Sequence, residues 1–352
     1  MRAPADPPSA PPRAEPRIPA FEGLRGVLAL SVALGHFGLN HVLERFGFEL
    51  RKQLAVFVFF ALSGFVLSRA YYFGRRSFPD LALSRVARLF PLHLFAWLWG
   101  LALALATHRP LDAVDLGASL LLLHNLGLPG LTGWSLNFPT WSISVEMYLS
   151  LLFYVVARRP TPALAVALTL AGLVCAALWA SSDRDMIETV AGVNLGLLCG
   201  LGGFGVGVAA WIVDRRCAAV FARGRRWAVP TLALTLGFML LPAGVFHYAG
   251  APFAAATLLL LLMLAANGEA TFLASRPFVY LGAISYSIYL LHIPMLLTAT
   301  AIFGAERMAG AAAKLPLLAA TLALAALTHR SIEKPAQAAV LRRFATPRGA
   351  RA

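Results

Sequence analysis

Apolar stretches long enough to cross a bilayer recur along almost the whole chain. A helix needs about 20 such residues to traverse ~30 Å of hydrocarbon. The pattern predicts spans near 22–41, 53–71, 89–107, 141–157, 162–180, 189–213, 228–247, 251–267, 278–302 and 313–331. The expected fold class is therefore all-α, a polytopic membrane bundle of about ten transmembrane helices. A further apolar piece, Leu116 to Leu128, carries His124, Asn125, Gly127 and Pro129 and is too short to span. It is expected to be re-entrant or interfacial. Residues 1–20 hold seven Pro and no apolar periodicity, which predicts a disordered tail. The run Leu24 to Leu39 has Arg25 inside it and lacks a small-residue cleavage site, so it is expected to stay in the mature chain rather than act as a signal peptide. The domain organisation is then a tail at 1–20, a membrane domain at 21–336 and a basic cytoplasmic tail at 337–352.

Composition agrees: 59% of the 352 residues are hydrophobic and 13% charged, far from the soluble norm. Three Cys make no disulfide framework, and Cys175 and Cys199 lie in apolar runs where they pack as small hydrophobes. No metal site is expected. A net charge of +14 would suggest nucleic acid in a soluble chain, but here it marks topology. With the N-terminus inside, the inner segments carry 22 of the 30 Lys and Arg, the outer loops carry seven, and Arg25 lies within the first span. Such asymmetry in short loops sets orientation, and an N-in, C-in bundle follows. Gly200, Gly202, Gly203, Gly205 and Gly207 sit within the sixth span, where small residues let helices approach. They do not form a phosphate loop.

Ionisable side chains are costly in hydrocarbon, so each is a functional candidate. Arg25 and His36 are eleven residues apart, about three helical turns, and share one face. That face offers an anion partner at its inner end and a proton acceptor further out. Neutral His, with an unperturbed pKa of about 6.5, suits a general base for a hydroxyl. A snorkelling Arg with a hydrogen-bonded structural His fits the same spacing. Glu146 lies near the depth of His36, and either it orients the imidazole or it forms an ion pair with Arg25 or Arg109. Arg85 and Arg88, at i and i+3, sit where the cytoplasmic loop between the second and third spans enters the third span. Two guanidinium forks suit a phosphate ligand, although retention at the positive-inside face also explains them. Ser285, Tyr289 and His292 form a polar stripe at i, i+4 and i+7.

Six segments in order resemble the acyltransferase 3 family. They are Leu24-Arg25-Gly26-Val27-Leu28-Ala29-Leu30 with His36, Phe59-Phe60-Ala61-Leu62-Ser63-Gly64-Phe65, Arg85-x-x-Arg88 before Pro91, Trp141-Ser142-Ile143-Ser144-Val145-Glu146, Ser285-Tyr286-Ser287-Ile288-Tyr289-Leu290-Leu291-His292, and Ile332-Glu333-Lys334-Pro335. The resemblance covers about residues 21–336. It implies an integral membrane enzyme that moves an acyl group, commonly acetyl, from cytoplasmic acyl-CoA to a hydroxyl on a glycan, a nodulation factor or a macrolide. The standalone type is implied, since the chain ends soon after its last family motif. The resemblance matches Arg25 and His36 to the family's Arg-x10-His motif, with His36 the essential base, and puts Arg85 and Arg88 near the coenzyme. From the residues' own chemistry Glu146 is expected as the catalytic partner that orients His36, and Arg25 as a further contact to the coenzyme's phosphates. Ser63, Trp141, Ser285, Tyr289 and His292 are placed as acceptor or channel lining. No cofactor is bound permanently, because acyl-CoA is a co-substrate. The expected partners are acyl-CoA, a saccharide or lipid-linked saccharide, and membrane lipids, with no nucleic acid. The expected location is a bacterial inner membrane. The alternative class is a transporter of an envelope glycan or small molecule, using the same intramembrane charges as its path.

Overall fold

The computed structural model describes residues 18–39, 52–73, 77–156, 161–180, 186–190, 193–223 and 272–344. The spans expected at 228–247 and 251–267 lie outside the described residues, as do residues 1–17 and 345–352 of the two tails. What is described is overwhelmingly helical. The helices are α1 (Pro19–His36), α2 (Lys52–Phe73), α3 (Phe78–Ala106), α4 (Ala113–Leu120), α5 (Thr140–Val156), α6 (Pro162–Ala180), α7 (Leu195–Arg223), α8 (Arg276–Ala283), α9 (Ser285–Phe303), α10 (Ala311–Thr328) and α11 (Lys334–Phe344). A π-helical turn at His329–Glu333 joins α10 to α11. A two-residue antiparallel hairpin, β1 (Thr189–Val190) and β2 (Val193–Asn194), precedes α7. Among the described residues, four helical stretches are long and apolar enough to cross a membrane: Phe78–Ala106, Leu195–Arg216, Ser285–Phe303 and Ala311–Phe344.

Boundaries differ from the hydrophobic pattern where polar chemistry sets them. Hydropathy starts the third span at 89, whereas α3 starts at Phe78. Ser77 caps it by accepting from the Asp80 amide at 3.3 Å and donating its hydroxyl to Asp80 at 2.6 Å, a reciprocal cap that starts a helix regardless of hydropathy. Arg85 and Arg88 therefore sit inside a helix rather than in a loop. The ninth span is not one rod: it breaks at Ile284 into α8 and α9. The tenth runs on through the π turn to Phe344, so residues 337–344 of the expected tail are helical. Within Leu116 to Leu128 the only helix is the short α4, capped by Asp112 on the amides of Val114 and Asp115.

The interior is built on close backbone approach. Helix α7 packs against α6, α2 and α5, and its glycines mark the closest contacts. A Cβ at Gly202 would meet the backbone of Gly172 in α6, and one at Gly207 would meet the Ala61 carbonyl and the Phe65 amide of α2. On the far side, Val166, Leu170 and Val174 form an exposed apolar stripe on α6, and Leu94, Leu98 and Leu105 do so on α3. In a bilayer such stripes face lipid. At one end, α1 lies against α8, α9 and α2, with Gly26 and Gly282 at the α1–α8 crossing.

Since a Cβ at Gly207 has no room, Gly207→Leu should destabilise the fold by at least the ~1–3 kcal/mol typical of overpacking. Thermal unfolding in detergent, compared with a swap on the exposed stripe of α6 such as Val166→Leu, should show the loss only for the glycine variant.

Candidate functional site

A carboxylate in the bundle interior gathers three helices. Glu146 of α5 accepts on Oε1 from Arg85 Nη1 of α3 at 3.1 Å and from Ser63 Oγ of α2 at 3.0 Å. The two charged side chains are 13% and 22% exposed, so the pair is largely shielded from solvent. Arg25 of α1 lies within electrostatic reach of Arg88, Glu22, Glu146 and Arg85. Among the described residues neither the Arg25 nor the Arg88 side chain forms a hydrogen bond or ion pair. The Glu146 carboxylate thus faces three guanidiniums, two of which keep their donors available.

The cluster continues toward the last helices. Tyr286 of α9 donates to the Leu89 carbonyl of α3 at 2.7 Å, and Ser287 donates to Glu333 at 2.9 Å. Glu333 lies 3.0 Å from His329 across the π turn. These bonds bring Leu89 of α3, the start of α9 and the turn after α10 together, and the close approach of Gly26 to Gly282 sets α1 beside them near Arg25.

His36 is the last residue of α1, roughly 16 Å along the axis from Arg25 at ~1.5 Å per residue. Its partner is His292 of α9: His36 Nδ1 and His292 Nε2 are 2.9 Å apart, and the ring planes differ by 19°. His292 is fully buried and also bonds through Nδ1 to the Ile288 carbonyl at 3.2 Å. Beside it, Tyr289 and Ser142 share a 2.7 Å hydroxyl–hydroxyl bond at the start of α5. The aromatic rings of Phe138 and Phe37 pack against His36 and His292. Glu146 follows Ser142 by one helical turn, so the hydroxyl pair links the level of the histidines to the level of the carboxylate.

The expected residues fall into two groups. The structure brings Arg25, Arg85, Arg88, Glu146 and Ser63 together, and separately His36, His292 and Tyr289. The sequence offers Glu146 either as the group that orients His36 or as an ion-pair partner of Arg25 or Arg109; the structure has it held by Arg85 and Ser63, since a buried carboxylate has to be paired and hydrogen-bonded. Of the two arginines that the sequence offers as its ion-pair partners, Arg25 and Arg109, neither makes the bond. Trp141 is a core residue, buried and ring-packed on Phe60. Ser285 is buried at the start of α9.

Residues that sequence reasoning misses include Ser142, Ser287 and Lys52. Lys52 begins α2, lays its stem over Gly35, and carries its charge within reach of both histidines. Its position at the outer end of a span is visible in the sequence, where it reads as one loop cation among several. His124, between α4 and α5, lies 3.3 Å from the Thr140 hydroxyl. Burial, with nearby His93, pushes its pKa down to about 4, which leaves it uncharged at neutral pH and able to serve as a hydrogen-bond partner.

A family model described as an acyltransferase domain matches residues 18–330. The chain is similar to "Acyltransferase MdmB" from Streptomyces mycarofaciens, 28% identical over 91% of each chain. It is also similar to "Protein 2 in picA locus" from Rhizobium radiobacter, 38% identical over 32% of this chain and 58% of that protein. No solved structure is a significant match.

The shared carboxylate oxygen makes Arg85 and Glu146 energetically coupled. A double-mutant cycle with Arg85→Ala and Glu146→Ala should give a coupling within the ~0.5–3 kcal/mol seen for contacting residues, read from denaturant unfolding in micelles. Strict additivity would show that the bond carries no net energy.

Proposed function

The chain belongs to the acyltransferase 3 family of membrane acyltransferases, and from that premise we propose that it moves an acyl group, acetyl in the first instance, from cytoplasmic acyl-CoA to a hydroxyl of a cell-envelope saccharide. The observation that carries this reading is the division of α1 between two chemistries. Its inner part joins a cluster of three guanidiniums around the Glu146 carboxylate, and its outer end presents an imidazole.

The guanidiniums suit the phosphates of the coenzyme, since forked donors bind such oxygens bidentately. Arg88 and Arg25 supply the unengaged donors, while Arg85 is positioned by Glu146. His36 serves as the general base. It takes the proton of the acceptor hydroxyl as that oxygen attacks the thioester carbonyl; the C–O bond forms, the C–S bond breaks, and the proton passes to the departing thiolate. Tyr289, Ser142 and Ser63 are the hydroxyls that lie between the two levels. The thioester must reach from the arginines to His36, and α1 sets that distance.

The bundle that supports this chemistry has ten spans with both termini cytoplasmic, in a bacterial inner membrane. Three observations favour that arrangement. The cations divide unequally between alternate loops. The first part of α1, the Arg85–Leu89 part of α3, the start of α9 and the turn after α10 lie together, which fits an alternating path. That region also carries the arginines, and acyl-CoA is met from the cytoplasm.

Inverted membrane vesicles expose the cytoplasmic face, so labelled acetyl-CoA supplied to them tests the proposal. Vesicles carrying the wild-type chain should pass label into a saccharide or lipid-linked saccharide fraction, and His36→Ala vesicles with equal inserted protein should not. Transfer that survives His36→Ala would refute the base assignment. Label confined to a non-saccharide small molecule would keep the enzyme and correct the acceptor. In the same vesicles Arg88→Ala should raise the KM for acetyl-CoA about tenfold with kcat less affected, as expected when a remote phosphate contact supplies uniform binding. An unchanged KM would return Arg88 to a purely topological role.

A further inference from the structure

Both histidines of the pair have their hydrogen-bonding roles constrained by groups around them. The Ile288 carbonyl can only accept, so the proton of His292 resides on Nδ1, which lies 3.2 Å from it. With one proton per ring, His292 Nε2 then carries a lone pair. That lone pair is 2.9 Å from His36 Nδ1, which must therefore be the donor. The proton of His36 is fixed on Nδ1, and its Nε2 is left with the free lone pair. The two rings differ in exposure in the sense this requires: His292 is 0% exposed, whereas His36 is partly accessible.

We propose that His292 is the positioning residue of the acyl transfer, holding His36 in the Nδ1-protonated tautomer so that Nε2 faces the acceptor hydroxyl. The inference rests on His36 acting as the base, and it assigns to His292 the orienting role that the sequence suggests for Glu146. The relay has a fixed direction: Ile288 carbonyl, His292, His36, acceptor. When the acceptor oxygen attacks the thioester carbon, its proton moves to His36 Nε2, the C–O bond forms and the C–S bond breaks. The resulting imidazolium keeps its Nδ1–H on His292 Nε2, and that bond becomes charge-assisted. The Nε2 proton then passes to the thiolate, restoring the starting tautomer. His292 gains and loses no proton in this cycle. Its contribution is an acceptor at a fixed place, supplied from a helix that Ile288 and the packing of Phe37 and Tyr289 hold in register.

A glutamine carbonyl oxygen can stand where His292 Nε2 stands, whereas leucine offers no acceptor. Initial rates of transfer from labelled acetyl-CoA to the endogenous acceptor in inverted vesicles are compared for wild type, His36→Ala, His292→Gln and His292→Leu at equal inserted protein. His292→Leu should lower kcat about a hundredfold or more, since misassigning a catalytic imidazole's tautomer costs on the order of 10⁴-fold where it has been measured in a hydrolase triad. Its KM for acetyl-CoA should change less than about twofold, the mark of a contact that acts in the chemical step rather than in binding. His292→Gln should retain kcat within about fivefold of wild type, because the acceptor that fixes the tautomer is kept. A His292→Gln variant as impaired as His292→Leu, or a His292→Leu variant as active as wild type, overturns the proposal. Nitrogen-15 spectra of histidine-labelled wild-type protein, with the His36 signals identified by their loss in His36→Ala, provide a second measurement that needs no His292 variant. His36 protonated on Nδ1 is the expected result, and protonation on Nε2 overturns the assignment. If His36→Ala keeps full activity, it is the underlying base reading that fails. If it abolishes transfer while His292→Leu is silent, only the positioning role fails.

Discussion

The carboxylate of Glu146 constrains the site more than any other group. An ionised carboxylate inside a membrane bundle has to be paired and hydrogen-bonded, and its two partners come from different helices, Ser63 on α2 and Arg85 on α3. One oxygen therefore fixes the relative depth of α2, α3 and α5. Once Arg85 is committed to that oxygen, Arg88 one turn further along α3 and Arg25 on α1 converge on the same region with no ion pair of their own among the described residues. Among the described residues those two guanidiniums keep donors that an anion could meet, although Glu22 also lies within reach of Arg25. Of the other carboxylates nearby, Glu333 is kept occupied by Ser287 and His329.

Rigidity on the other side of the bundle makes this placement hold. Helices α2, α6 and α7 meet through glycines at backbone contact, so they have little freedom to slide. Because α2 carries both Ser63 and the faces that receive Gly203 and Gly207, the tightly packed side and the polar site share a helix. Substitutions far from any charge can therefore displace Ser63 and, through it, Glu146.

Much of the fold is legible in the sequence because hydrocarbon permits few backbone solutions. The fifth span, expected at 162–180, coincides with α6 (Pro162–Ala180), whose sequence is apolar throughout. The fourth is nearly as close. The third begins earlier than hydropathy suggests because the first turns of α3 contain Ser84, Arg85 and Arg88 and so resemble a loop, although Ser77 and Asp80 spell out a cap. The break at Ile284 is invisible locally, since it has no Pro at the break; it lies beside the close approach of Gly282 to the Glu22 backbone of α1. At the site, residue identity is legible and pairing is not. Spacing alone puts Arg25 and His36 on one face of α1, and polarity in an apolar run singles out Glu146 and His292. Which acceptor meets which donor depends on how four helices pack, and no local pattern records that His36 and His292, 256 positions apart, come within bonding distance.

On the proposed mechanism, binding and chemistry are separated along one helix. Charge that attracts the donor's phosphates would be a liability beside the base, because cations close to an imidazole disfavour the protonated form it must adopt after accepting a proton. Three turns of α1 hold the guanidiniums away from His36, while Lys52 is the cation that remains within its reach. The bond from His36 to His292 then acquires a specific value: an uncharged acceptor supports the transient imidazolium without introducing a fixed negative charge that would itself need a partner in hydrocarbon. A carboxylate in the position of His292 would have required such a partner, and Glu146 is already committed to the arginine side. If His36 is the base, a histidine rather than an acid behind it fits where the bundle can tolerate charge.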